Sequence, residues 1–565
     1  MNRILRVCMD DLSVREQPVP EAWRWLGGRG LTSAMVAAEV PPDCDPLGPE
    51  NRLVMAPGLL TGTSAPCSGR LSLGAKSPLT GGIKESNVGG KAGQALARLG
   101  IRALVLEGAP AAGGRYLLEL SPAGARLVSA DDLSGMTNYQ VAEVVNGRYG
   151  PDAAYLCIGP GGEQLLALAT VAAGDTRGRP TRHAGRGGLG AVLAAKGIKA
   201  VVLDPGRGKG PAVADVEGFR AVTKPFAAGL VAGKKALHQY GTAVLVNLIQ
   251  KVGGLPVRNF RPSAGFDVSG LTGETLARNC AERGGMTGHG CHAGCVIRCS
   301  NIYHDAAGQY LTAALEYETI ALLGANCGLT DLDQVAQLDR ACDDYGLDTM
   351  ETGATLAVAM EGNLLAFGDF AAMRGLLDEM ARGTLAGRLL GQGAYFTGKT
   401  LGVRRIPTVK GQSLSGYDPR ALKGTGVTYA TSPMGADHTA GNCLPGRTGL
   451  DERAAQGQVA ASREIQLVST VCDNLGLCVF VGPVRASLEP LAGLLSAFSG
   501  RPWSEAELME QATEILRGEV EFNRRAGISR EQNDLPRFLR LEALESGPVF
   551  DVPAKELAAI FDAEV

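Results

Sequence analysis

The sequence has no run approaching the roughly 18 consecutive apolar residues of a membrane-spanning helix. Its opening, MNRILRVCMDDLSV, places Asp10 and Asp11 where a secretion signal would need an apolar core. The expectation is a cytoplasmic protein without membrane insertion. Charge of one sign is not in large excess either. The formal net charge is −3 and the isoelectric point is near 6.2, so no global field draws the chain to nucleic acid or an anionic surface. Aromatic residues are sparse, at 5%, but 45% hydrophobic and 20% charged content describes a globular chain, not a disordered or fibrous one. No solenoid-length repeat is present. The 13 cysteines are odd in number and spread over 565 residues, unlike the dense, even set of a small secreted scaffold. Most should be buried thiols, and any that bind metal should cluster.

What is abundant is glycine, with 78 residues, which implies many close backbone approaches. The length exceeds one hydrophobic core and favours two to four domains. Short apolar or alternating runs (ILRV, RLVMA, RLSLGA, ALVLEGA, YLLEL, YLCIG, KAVVLD) are bounded by Gly, Pro and Asp and read as strands. After the linker-like DPGRGKGPAVAD the apolar period lengthens to three and four. DVEGFRAVTKPFAAGLVAG, ALEYETIALLGAN, DLDQVAQLDRACDDYG and ETGATLAVAMEGNLLAFG read as helices, as do EIQLVSTVCDNLG and EAELMEQATEILRGEVEFNRRAG after a break at Pro407–Pro419. The fold class expected is α+β: a β-rich domain over 1–207, then mainly α-helical domains over 208–412 and 413–565.

Three features carry chemistry. The first is HGCHAGCVIRCSN, where Cys291, Cys295 and Cys299 follow one another at intervals that let three thiolates face one point. Soft thiolates select zinc, Cu(I) or an iron–sulfur cluster, and a cubane cluster needs a fourth ligand from elsewhere. Cys472 and Cys478 both qualify, and His289 or His292 would complete a zinc site instead. The second feature is basic, glycine-interleaved text. AGRGGLGAV at 184–192 satisfies G-x-G-x-x-G but lacks the preceding strand of a dinucleotide fold. Arg177, Arg179, Arg182 and Arg186 remain, with a similar stretch at 69–90 holding Arg70, Lys76, Asn87, Gly89 and Gly90. Arginine forks and open backbone amides suit phosphate oxygens, so two such stretches point to a polyanionic cofactor. The third is a repeated heptamer, CDDYGLD at 342–348 and CDNLGLC at 472–478, which ends once in Asp348 and once in Cys478.

With these residues the chain resembles the aldehyde:ferredoxin oxidoreductases, tungsten enzymes that hold a bis-pterin cofactor beside a 4Fe–4S cluster. The resemblance runs through LGGRGL, PLGPENRLVMAPGLLTGTSAP, KSPLTGGIKESNVGG, GRGGLGAV, YGTAVLVN, EYETIALLGAN, YGLDT and YDPRALKGTG. It implies that the first domain forms a base under the cofactor, with Arg70, Asn87, Gly89 and Arg182 at the pterin phosphates. It implies a Mg²⁺ ion bridging those phosphates through carbonyls near Asn87 and His183. Each D-x-x-G-L phrase would hold one pterin, through Asp343 and Asp348 in one and Asp473 and Leu477 in the other. Cys478 would join Cys291, Cys295 and Cys299 on the cluster, and Glu318 and His438 would be the catalytic pair, with Tyr317 an unassigned neighbour.

The activity implied is oxidation of an aldehyde to a carboxylic acid at tungsten or molybdenum. Electrons would go to ferredoxin or a ferredoxin-like iron–sulfur subunit, in a homodimer or hetero-oligomer. The alternatives are another low-potential reaction, such as aryl-CoA ring reduction, and a non-catalytic electron-transfer protein. The chain departs from the family pattern in C-x3-C-x3-C where the best-known members have C-x2-C-x3-C, in Gln337 at an intersubunit metal position, and in Ala440 at a basic one.

Overall fold

The computed structural model describes residues 3–111, 113–482, 487–545 and 547–562. Its first part is two six-stranded sheets. The strands β1 (Arg3–Cys8), β2 (Ser13–Pro18), β3 (Leu53–Pro57), β4 (Leu71–Lys76), β5 (Ile83–Val88) and β6 (Ile101–Glu107) form the first, in the order β2-β1-β6-β3-β4-β5. The second contains β7 (Tyr116–Ser121), β8 (Gly124–Ser129), β9 (Ala154–Cys157), β10 (Val171–Ala173), β11 (Arg182–Ala184) and β12 (Ile198–Leu203), in the order β11-β10-β9-β12-β7-β8. All seven runs read as strands lie in this set. Only the β1–β6 and β7–β12 pairs are parallel.

Side-chain alternation assigns each face. Leu53, Met55, Leu104 and Leu106 of the first sheet share a core with Leu118, Leu120, Leu156 and Val201 of the second. The intervening Val54, Ala56, Ala103 and Val105 pack under Leu31, Met35 and Val36 of the helix Gly28–Glu39. Leu117, Tyr155, Ala200 and Val202 likewise pack under the helix Asn138–Tyr149, whose N-terminus Thr137 closes with a capping box. The inner strands β3, β4, β6, β9 and β12 are therefore buried on both faces and read as nearly continuous apolar runs, whereas the outer strands β2 and β8 are partly exposed. The edge strands β5 and β11 come together, so the sheets meet along an edge that carries Asn87 on one side and Arg182 and His183 on the other.

After the 204–215 connection the chain becomes helical, beginning with Val216–Gly233. Helices Leu332–Tyr345, Thr349–Glu361, Gln458–Leu475 and Glu505–Arg525 occupy the expected segments. Two expectations are corrected. A strand does precede the glycine stretch at 185–190: β11 leads through it to the helix Leu189–Ala195, but β11 is a three-residue edge strand antiparallel to β10, not the parallel strand of a dinucleotide fold. ALEYETIALLGAN is not a regular helix but a short α turn at Tyr317–Thr319, a π-helical turn at Ile320–Gly324 and a 3₁₀ turn at Ala325–Cys327. Such wide turns concentrate at functional positions, and here the turn sets Glu318 at its mouth. The cysteine triplet occupies the connection between Met286–His289 and Ser300–His304 of a small three-stranded sheet.

Candidate active site and metal centre

Each D-x-x-G-L phrase is a helix end docked on one sheet. Leu332–Tyr345 stops at Gly346 and Gln458–Leu475 stops at Gly476, both left-handed, with φ of 73° and 78°, as a glycine-terminated helix requires. The Leu347 amide then donates to the Cys342 carbonyl and the Leu477 amide to the Cys472 carbonyl, both at 2.9 Å. The first turn is tied to the β9–β10 connection: Thr170 N–H donates to Gly346 O at 2.9 Å and Asp348 N–H to Leu168 O at 3.0 Å. The second is tied to the β3–β4 connection, with Arg70 N–H to Gly476 O at 3.2 Å and Cys478 N–H to Cys67 O at 2.9 Å.

This docking brings residues from distant parts of the chain to one cavity of about 380 Å³, within the range of roughly 300–1,000 Å³ for cofactor sites. Arg70, Asn87, Gly89, Arg182, His183, Asp343, Asp348, Asp473, Glu318, His438, Cys291 and Cys299 all line it. Leu477 does not; its side chain is buried in the apolar cluster with Val471 and Leu475. Cys478 stands behind Arg70, whose Nη2 is 3.6 Å from its sulfur. Against the downward push of burial, the thiols of Cys478, Cys291 and Cys299 hold the Arg70 guanidinium above its ordinary value.

The cavity wall is polar and unsatisfied. Arg70 Nε, Asn87 Nδ2, Arg182 Nε, Asp343 Oδ2 and Glu318 Oε1 are buried without a hydrogen-bond partner. Each such atom costs about 1–3 kcal/mol, so the set calls for a ligand rich in both acceptors and donors. A phosphate-bearing pterin pair, which carries both acceptor oxygens and N–H donors, fits that requirement. The gathered thiols fit a soft metal group.

The carboxylates differ in their surroundings. Asp343 Oδ1 is 3.0 Å from His183 Nε2. Burial raises the Asp348 carboxyl to about 6, against the opposing pull of Arg186 at 3.4 Å. Burial and the nearby Glu85 push Asp473 up well above the usual range, with Arg29 opposing from 3.6 Å.

Glu318 Oε2 accepts from the Gly416 amide at 2.7 Å, while Oε1 lies 3.4 Å from His438 Nε2. Ser415 Oγ is 3.1 Å from His438 Nδ1 and 3.4 Å from Arg186 Nη1. A carboxylate only accepts, so Glu318 Oε1 beside Nε2 places the imidazole proton on Nε2, and Nδ1 is then the acceptor for the Ser415 hydroxyl. Asp437 completes the surround: it is 3.9 Å from His438 and paired at 2.9 Å with the buried Lys84. Against the push of burial, Lys84 and Arg186 hold the Asp437 carboxyl well below the usual range.

At the triplet, Cys291, His292 and Cys295 bring three ligand atoms within 4.8 Å of one another. His289 points elsewhere, 3.9 Å from Asp175. Cys472 is fully buried in its helix, where burial raises its thiol. Sequence reading missed Lys84, Asp437, Ser415, Glu351 and Cys67. Lys84 and Asp437 are 353 residues apart, and no local pattern announces such a pair. Asp437 does adjoin His438, which was the available signal.

A double-sheet base, helical lobes closing over it and thiols beside a polar cavity mark a redox protein built around a large cofactor. The chain belongs to the aldehyde ferredoxin oxidoreductase family. Residues 4–205 match the family model "Aldehyde ferredoxin oxidoreductase, N-terminal domain" and residues 225–562 match "Aldehyde ferredoxin oxidoreductase, domains 2 & 3". The chain is 31% identical to the tungsten-containing aldehyde ferredoxin oxidoreductase of Pyrococcus furiosus over 576 residues, 97% of this chain and 92% of that protein. It is also 31% identical to the enzyme of the same name from Thermococcus kodakarensis, with the same coverage. An aliphatic sulfonate oxidoreductase, WOR-like subunit, of Pyrococcus furiosus is 26% identical over 84% of this chain and 78% of that one. The fold matches the active site complex BamBC of benzoyl coenzyme A reductase, with a TM-score of 0.80 at 19% identity over 95% of this chain and 90% of that one. Membership places the chain among oxidoreductases that join tungsten- or molybdenum-pterin to iron–sulfur chemistry. Among the described residues no helix is long and apolar enough to cross a membrane.

Proposed function

We propose that the protein oxidises an aldehyde to a carboxylic acid, RCHO + H₂O → RCOOH + 2H⁺ + 2e⁻, and delivers the electrons to ferredoxin or a ferredoxin-like iron–sulfur subunit. The observation that carries this reading is the pair Glu318 Oε1 and His438 Nε2, 3.4 Å apart at the cavity wall, with the carboxylate oxygen otherwise unpartnered. When bound, a tungsten- or molybdenum-bis-pterin and a 4Fe–4S cluster supply the two-electron and one-electron redox chemistry.

The rest falls to the chain. Arg70, Asn87, Gly89, Arg182 and His183 would hold the pterin phosphates and their Mg²⁺. Asp343, Asp348 and Asp473 would hold the ring donors, Leu477 would seat the second phrase, and Cys291, Cys295, Cys299 and Cys478 would hold the cluster. His438 Nε2–H donates to the aldehyde oxygen and polarises the carbonyl. Glu318 Oε1 takes the proton released from water, and the Gly416 amide on Oε2 keeps the carboxylate oriented. Tyr317, whose hydroxyl donates to Gly416 O at 2.5 Å, braces that amide.

The test is turnover of an aldehyde panel with a viologen acceptor by metal-replete protein, together with tungsten and molybdenum analysis. Glu318→Gln should lower kcat by about 100- to 10,000-fold, the usual weight of a general base, with metal content unchanged. No turnover of any aldehyde by loaded wild-type protein would overturn the assignment in favour of another low-potential reaction such as aryl-CoA ring reduction. Absence of both metals from protein grown with both would leave a non-catalytic electron-transfer protein.

A further inference from the structure

Past His438 the chain makes the turn 442–447, which adds Asn442, Leu444 and Arg447 to the cavity wall. The Asn442 carbonyl oxygen accepts from the Leu444 amide at 3.1 Å and from Arg447 Nη1 at 3.2 Å, and the Arg447 amide donates to Leu444 O at 3.0 Å. The turn is thus wound on one carbonyl. Asn442 adjoins the Tyr417 hydroxyl, and the Tyr417 ring lies 6.0 Å from the His438 ring, centroid to centroid. Tyr417 links the turn to the reacting pair.

Arg447 is only half-buried, yet its charge is not balanced. Among the described residues only Nη1 finds a protein acceptor. Burial lowers the guanidinium from its ordinary value; Cys443, Tyr417 and Cys472 oppose that push, and no carboxylate does. Lys234, just past the helix Val216–Gly233, is pushed down by burial and then by Arg447, with Cys478 opposing and again no carboxylate. Two cations therefore stand near one another in a half-buried place without an anion, whereas Arg186 of the same cavity faces Asp348 and Glu351. An anionic ligand would relieve that arrangement, and the free edge of an arginine fork matches a carboxylate.

The expected seats of the cofactor phosphates lie elsewhere, at Arg70 and on the edge strands β5 and β11. Leu444 instead packs with Leu245 on the helical core that contains Tyr317 and Tyr417, and both leucines line the cavity. Arg447 thus belongs to the reacting-pair side, beside an apolar wall.

We propose that Arg447 receives a carboxylate carried by the substrate, so that the preferred aldehydes bear an acid group beyond an apolar spacer. The proposal rests on the aldehyde-oxidation reading above.

The test compares two aldehydes of similar shape, para-formylbenzoate and its neutral methyl ester, with metal-replete protein and a viologen acceptor. Wild type should favour the acid in kcat/KM. Arg447→Gln should cut that preference by about 10- to 100-fold, the weight of a hydrogen bond to a charged group, and through KM rather than kcat. Calorimetric titration of the same proteins with para-(hydroxymethyl)benzoate, without acceptor, should show binding weakened at least about 10-fold in the variant. Pterin, metal and iron contents of the variant should equal those of wild type. The proposal is overturned if wild type does not favour the acid, if Arg447→Gln keeps the preference, or if the variant loses pterin, which would assign Arg447 to the cofactor. Should no aldehyde be turned over, the oxidation reading fails instead and the titration judges Arg447: equal binding by wild type and variant overturns its role, and weakened binding upholds it as the anion seat.

Discussion

The two heptamers are alike in fold and unlike in their last side chain. Asp348 caps the helix Thr349–Glu361, accepting from the Met350 amide at 2.9 Å, and faces Arg186 across the cavity wall. Cys478 precedes only a 3₁₀ turn, Val479–Val481, and makes no side-chain cap; its sulfur faces Arg70, the guanidinium that Cys291 and Cys299 also act on. The same backbone turn thus delivers a carboxylate to an arginine-rich wall in one half and a thiol to a thiol-rich wall in the other. The difference teaches that the glycine and the leucine set the turn, while the sheet beneath each turn decides which terminal residue is useful.

That comparison is sharpest where the terminal residues are exchanged. Cys478→Asp should abolish the 4Fe–4S EPR signal, whereas Asp348→Cys should leave iron content unchanged; equal loss in both would break the contrast. Next in size is the pH effect of Asp348, the terminal carboxylate that the second phrase replaces with Cys478. The Asp348 carboxyl is raised from 3.8 to about 6 in the folded state, so between these values the native state binds more protons than the unfolded chain. Stability therefore falls as pH rises through that window, by on the order of 3 kcal/mol at about 1.4 kcal/mol per pH unit. Urea melts of wild type and Asp348→Asn at pH 4 and pH 7 check this, and the variant should lack that fall.

The glycines give a smaller contrast. A Cβ at Gly476 would lie 2.3 Å from Thr61 Oγ1 and 2.8 Å from Gly58 Cα, whereas at Gly346 the nearest atom is 3.0 Å away. Gly476→Ala should cost about 2–3 kcal/mol, from left-handed strain plus overpacking, and Gly346→Ala about 1–2 kcal/mol from strain alone. Thermal denaturation of the two variants should rank them in that order. The smallest effect is loss of the cap: Asp348→Ala should destabilise by about 1 kcal/mol relative to Asp348→Asn, which keeps an oxygen for the Met350 amide.

Much of this architecture is legible in the residues. Apolar runs bounded by turn formers mark the strands of the base, and three-four spacing marks the long helices, because both patterns follow from which faces are buried. The 317–327 stretch misleads for the same reason. Ile320, Ala321, Leu322, Leu323 and Gly324 are all buried, and a segment buried on every side shows no period that tells an α turn from a π turn. Cysteine spacing announces a metal group but not its full shell. Cys67 and Gly69 lie more than 200 residues before the triplet they pack against, and their contacts exist only once the β3–β4 connection is folded under it.

The sequence alone determined the sheet-then-helix order, the two glycine-terminated turns and the inventory of thiols, arginines and aspartates, because these depend on local sterics, periodicity and residue chemistry. Tertiary structure decided which of them meet. Lys84 reaches Asp437, Arg186 reaches Asp348 and Glu351, and His292 settles against Gly69. Such contacts are set by how two sheet edges and two helix ends pack around one cavity, and no local spacing in the chain encodes that packing.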